Sequence, residues 1–192
     1  MAIHTSSDII AQRYVVSSSV SHYTSSAASG SHIFGDSPDD THQFTGSLLI
    51  SGSRISLTDG KNNTIFGSLA GLNITTGVKN IIIGAEAGDA GNFSNTVLLG
   101  FQAGSAINST DANGTVAIGY QAGIALTSGL NNMAIGYQAL KTATANDYNT
   151  AIGYTALYSI SGSDGTEGEG NTAVGYRAGY STTTGNENTF LG

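Results

Sequence analysis

Cysteine and tryptophan are absent from this 192-residue chain, and proline occurs once, at Pro38. Without cysteine there are no disulfides and no thiolate chemistry, and the redox compartment is left open. Charge is also scarce: six Lys and Arg stand against thirteen Asp and Glu, for a formal net charge of −7. So few cations are poorly suited to neutralise a run of phosphates, which argues against a nucleic-acid-binding surface. The longest apolar runs, such as Ile81-Ile82-Ile83, are far too short to cross a bilayer. The opening residues, Met-Ala-Ile-His-Thr-Ser-Ser-Asp, carry no basic segment followed by an apolar core. The expectation is therefore a chain with no export or membrane address of its own.

Glycine, by contrast, occurs 27 times, and Ser, Thr and Asn fill much of the remainder. The glycines are periodic. A phrase beginning Asn63-Thr-Ile-Phe-Gly-Ser-Leu-Ala-Gly71 returns from Asn80, Thr96, Thr115, Asn132, Asn149 and Asn171, and an eighth copy stops at Asn188-Thr-Phe-Leu-Gly192. Its anchor glycines are Gly67, Gly84, Gly100, Gly119, Gly136, Gly153, Gly175 and Gly192, separated by 17, 16, 19, 17, 17, 22 and 17 residues. Seventeen is the unit; the departures are one deletion and two insertions. Such self-similarity is the signature of a stacked repeat architecture.

A second mark stands seven residues before most anchors, at Gly60, Gly77, Gly129, Asn146, Gly168 and Gly185. Glycine and asparagine tolerate positive φ, so both marks are predicted turns. The triplets before the anchors, such as Ile81-Ile82-Ile83 and Val116-Ala117-Ile118, are strand formers. A helix is disfavoured, because each interior glycine costs about 1 kcal/mol relative to alanine. One short strand cannot bury an apolar face alone, but strands stacked at about 4.8 Å share a continuous core. The predicted fold is all-β: a parallel β-solenoid or β-roll over residues 59–192, about 38 Å long for eight rungs, with the insertions as outward loops.

Three ladders follow from that stacking. Ala70, Ala87, Ala103, Ala122, Ala139, Ala156 and Ala178 repeat three places after the anchor; Asn63, Asn80, Asn132, Asn149, Asn171 and Asn188 four places before it; Phe101, Tyr120, Tyr137, Tyr154 and Tyr176 one place after it. Stacked asparagines can bond along the rod as amides do in cross-β stacks. All three read as structural.

These phrases resemble the head repeats of YadA-like trimeric autotransporter adhesins, which centre on an Ala-Ile-Gly core in a left-handed β-roll. They are more closely similar to the Asn-Thr-Ala-Ile-Gly-Tyr-Gln-Ala-Leu repeats of tail-fibre-like structural proteins of bacteriophages, and residues 35–52 look like a phrase from the same proteins. The resemblance covers about residues 30–192. It implies a left-handed roll, a homotrimer, a place in the virion and contact with a host-surface receptor. The adhesin pattern fits less well: the repeat is longer than the usual head repeat, and the sequence shows no signal peptide, heptad stalk or membrane anchor. A bacterial cell-surface adhesin head is accordingly the second reading, and a β-solenoid polysaccharide depolymerase the third.

Residues 1–58 lack the 17-residue unit. Ile9, Ile10, Tyr14, Val15, Val16, Val20 and Tyr23 are spaced loosely as on a helix, whereas the serine-rich stretch beside them favours extended chain. Leu48, Ile50, Ile55 and Leu57 alternate as in strands broken by Gly46 and Gly52. The expected role is a β-rich or extended connector to other virion proteins. An eighth repeat that stops at Gly192 leads us to expect further repeats or a tip domain beyond it, since a solenoid edge needs a cap.

No site for chemistry is apparent. His4, His22, His32 and His42 include three spaced by ten, which on a threefold axis would form metal rings, but no His-x-His or His-Glu-x-x-His pairing supports this. Asp164, Glu167 and Glu169 lack the spacing of calcium loops and read as a solvated insertion. Neither a nucleophile elbow nor a phosphate-binding loop is present. Neither an enzymatic activity nor a cofactor is expected.

Overall fold

The computed structural model describes residues 61–162 and 166–192. Each anchor glycine closes a three-residue strand: β1 Thr64–Phe66, β2 Ile81–Ile83, β3 Val97–Leu99, β4 Val116–Ile118, β5 Met133–Ile135, β6 Thr150–Ile152, β7 Thr172–Val174 and β8 Thr189–Leu191. The strands form one parallel sheet in sequence order, β1 through β8. Register is unbroken throughout, with Ile65 on Ile82, Ala117 on Ala134 and Ala173 on Phe190. This is the predicted β-solenoid. The connector expected over residues 1–58, and with it all four histidines, lies outside the described residues.

Each strand turns its central residue inward. Ile82, Leu98, Ala117, Ala134, Ala151 and Ala173 are fully buried in this row, and Ala87, Ala103, Ala122, Ala139 and Ala156 form a second buried row across the rung. Side-chain volume is traded between neighbouring rows. Gly71 lies against Ile65 and Ile82, and Gly104 against Leu98, so a Cβ at either would crowd those side chains. Where the strand centres shrink to Ala134 and Ala151, the same row instead carries Leu140 and Leu157, both fully buried. The swap keeps the thin interior filled, as a close-packed core requires.

Hydrogen bonds between rungs continue around the corners. The N–H of Gly84 donates to the Phe66 carbonyl at 2.8 Å, Glu86 N–H to Ser68 at 2.9 Å and Gly71 N–H to Ala87 at 2.9 Å. The first insertion is an exposed excursion ending in a 3-10 turn, Thr110–Ala112, after which Ala112 re-enters the core. β3 and β4 still pair in register across it. The second lies between β6 and β7, which also pair in register; residues 163–165 within it are not described.

The second turn differs from expectation. Gly168 has positive φ (66°), but Gly77, Gly129, Asn146 and Gly185 do not. The left-handed corner lies two residues later, at Asn62, Lys79, Asn95, Gly114, Asn131, Tyr148, Gly170 and Glu187. What the second mark requires at Gly77 and Gly129 is room. A Cβ there would overlap the carbonyls of Phe93 and Asn146 in the adjacent rung.

Candidate functional site

The ladders predicted from the spacing are brought together by the stacking. The anchors Gly67, Gly84, Gly100, Gly119, Gly136, Gly153 and Gly175 have φ between 130° and 138°, and Gly192 has 116°. Asn63, Asn80, Asn132, Asn149 and Asn171 are buried, with Thr96 and Thr115 in the same row where asparagine is missing. In the upper rungs Asn149 Oδ1 accepts from Asn171 N at 3.0 Å and Nδ2 at 3.1 Å, and Asn171 Oδ1 accepts from Asn188 N at 3.0 Å and Nδ2 at 3.1 Å. The spare amide hydrogen turns to the next rung's second mark: Asn63 to Gly77 O (2.9 Å), Asn132 to Asn146 O (2.7 Å) and Asn149 to Gly168 O (2.8 Å). A buried amide satisfied in this way holds the corner of each rung to the next.

On the outside, Phe101, Tyr120, Tyr137, Tyr154 and Tyr176 stack with centroids 5.5, 5.1, 5.1 and 5.4 Å apart. A shorter stack joins Tyr158 to Tyr180 at 4.9 Å. Because the rings are exposed at their rims, Tyr137→Ala is expected to lower stability by only about 1–2 kcal/mol, the value of two aromatic contacts. Its shift of the denaturant midpoint checks this.

Between the two stacks runs a row of polar side chains not anticipated from the sequence. Gln102 Nε2 donates to Glu86 Oε2 at 2.7 Å, Gln121 Nε2 to Gln102 Oε1 at 2.8 Å and Gln138 Nε2 to Gln121 Oε1 at 2.8 Å. The next member is Thr155, too short to continue the row, and then Arg177. A groove of about 230 Å³ opens at this break, lined by Gln138, Thr155 and Arg177 and flanked by tyrosines of both stacks. The signal was present in the repeat phrases, where Tyr-Gln-Ala becomes Tyr-Thr-Ala at 154–156.

Thr155 is the anomaly of the groove. It is 5% exposed and its Oγ1 has no hydrogen-bond partner among the described residues. Its φ of 49° is also one that a β-branched residue seldom adopts. The Arg177 guanidinium lies 4.2 Å from the Tyr180 ring centroid, and Lys141 Nζ donates to Tyr158 Oη at 3.1 Å. Elsewhere, no group of three or more His, Asp or Glu among the described residues is placed to hold a metal ion. No family model, curated protein or solved structure matches the chain.

Proposed function

We propose that this chain is a structural segment of a bacteriophage fibre, a tail fibre or similar appendage, in which parallel copies assemble into a homotrimeric spacer. The observation that carries this reading is the outer face of the sheet. Its outward row Phe66, Ile83, Leu99, Ile118, Ile135, Ile152, Val174 and Leu191 is apolar in every rung, and most of its members are exposed. Beside it, Ile81, Val97, Val116 and Met133 extend the apolar surface. One row over about 34 Å, joined about 7 Å away by a second over about 14 Å, makes a patch of a few hundred Å², a size that marks an interaction surface. The interior is narrow and built largely of alanine, so each copy gains from covering that patch.

A parallel partner meets equivalent residues at every rung, which suits a length-determining spacer. In this proposal, residues 1–58 connect to other virion proteins and a host-surface receptor is met by the assembled fibre. A surface adhesin head would share the same assembly and differ in where it is displayed. The groove beside Thr155 is lined by no carboxylate, so it offers no acid–base pair for cleaving a glycosidic bond.

Sedimentation at micromolar concentration is expected to give three times the chain mass. Ile135→Asp combined with Ile152→Asp is expected to give a monomer with its β-sheet circular dichroism retained. A wild-type chain that sediments as a stable monomer would overturn the assembly. Immunogold labelling that never decorates an appendage on virions produced with the chain would overturn the location.

A further inference from the structure

The break in the polar row is a site in its own right. Successive rungs are about 4.8 Å apart, so Gln138 and Arg177, two rungs from one another, bracket an opening about 10 Å long. Thr155 forms its floor. Two groups that line this opening have hydrogen-bonding capacity to spare. Among the described residues Gln138 Oε1 has no donor, because the row ends there, and Arg177 meets no carboxylate.

The charge at the site is local and positive, although the chain carries a net charge of −7. Arg177 is held over the Tyr180 ring, which leaves its N–H edge available, and the Lys141 ammonium sits behind Tyr158. A planar, pre-positioned guanidinium prefers a carboxylate, which it can grip with two parallel bonds. The opposite end offers an acceptor, Gln138 Oε1, which suits a hydroxyl. The tyrosine rims of the flanking stacks supply amphipathic walls with phenol hydroxyls. A molecule with a carboxylate at one end, hydroxyls at the other and the bulk of one six-membered ring matches all of these features.

We propose that the groove between Gln138 and Arg177 is a binding site for a carboxylated sugar, a pyranose of the uronic-acid type. The carboxylate pairs with Arg177 and a ring hydroxyl donates to Gln138 Oε1, over the floor that Thr155 forms. The volume accommodates one sugar, so affinity per site is low and repeated copies raise it through avidity. The site depends on the rung geometry alone and goes beyond the fibre reading, so either can fail without the other.

Saturation-transfer NMR on the full chain, titrated with sodium glucuronate and separately with glucose, tests it. Glucuronate is expected to bind saturably in the millimolar range, at least about tenfold more tightly than glucose. Thr155→Gln restores the row with a residue that already occupies the same corner at Gln102, Gln121 and Gln138. It is expected to keep the fold, fill the groove and weaken glucuronate at least about tenfold. Arg177→Gln is expected to bring glucuronate down to the level of glucose. Wild-type protein without saturable glucuronate binding, equal affinity for the two sugars, or undiminished glucuronate binding by either variant overturns the assignment.

Discussion

Gly136→Ala is expected to destabilise the solenoid by about 4 kcal/mol, among the largest effects a single methyl group can have. The anchor has φ of 132°, outside both the right-handed region and the compact left-handed well that other residues enter. An added Cβ would also overlap the carbonyl of Gly153, the equivalent anchor in the next rung. The rung cannot move away without stretching the bond from Gly153 N–H to Ile135 O, 2.7 Å long. Conformational strain and steric overlap therefore act together at mid-rod. Gly192 separates the two, because its φ is likewise positive (116°) but nothing lies within 4 Å of an added Cβ. Gly192→Ala is accordingly expected to lose only about 1 kcal/mol. Chemical denaturation of the two variants checks the contrast, and equal losses would show that the anchors do not stack closely.

Asn149→Ala is expected to cost about 3 kcal/mol. Its amide is buried and makes four hydrogen bonds: Nδ2 donates to Gly168 O and Asp147 O, and Oδ1 accepts both Asn171 N and Asn171 Nδ2. Alanine leaves these groups unpaired in a low-dielectric interior, where each unpaired group costs about 1–3 kcal/mol. Thr96 and Thr115 occupy this same row in other rungs, and Thr96 Oγ1 reaches Asn80 Oδ1 at 2.9 Å. Asn149→Thr is therefore expected to lose less than half as much as alanine. Amide hydrogen exchange at Asn171 should quicken most in the alanine variant. If that amide stays as protected as in the wild type, the ladder is not what holds this corner.

Why the sequence disclosed the rungs but misplaced one corner is a matter of what each position demands. The anchors need a backbone that only glycine adopts easily, so residue identity marks them. The strand triplets alternate in a way that requires one inward row, and Ile82, Leu98 and Ala117 are indeed buried there. The left-handed corner is different. Asn62, Asn95, Gly114, Asn131 and Gly170 are residues that favour positive φ, but Lys79, Tyr148 and Glu187 at the same corner are not, so residue identity marks it in some rungs only.

The stack itself imposes that conformation. A left-handed non-glycine residue costs about 1–2 kcal/mol, and at this corner the N–H groups of Lys79, Asn95, Asn131, Tyr148 and Glu187 gain partners in the preceding rung. Tyr148 donates to Leu130 at 2.9 Å and Glu187 to Glu169 at 2.8 Å. The polar row from Glu86 to Arg177 was written in the repeat phrases, but its hydrogen bonds arise only once the rungs are stacked. What Thr155 lacks is likewise visible only against the filled row.

The proposed assembly makes the sharpest demand on the row that contains Ile135. The chain has no cysteine, so Ile135→Cys places one thiol midway along the apolar face and Asp111→Cys places one on the exposed inserted turn. A disulfide forms only when two Cβ atoms come within about 4 Å. If copies pack in parallel and in register, mild oxidation of Ile135→Cys should give a covalent dimer within a particle of three times the chain mass. Asp111→Cys should remain uncrosslinked under the same conditions. Crosslinking at Asp111→Cys as readily as at Ile135→Cys, from a protein that sediments as a monomer, would contradict the account.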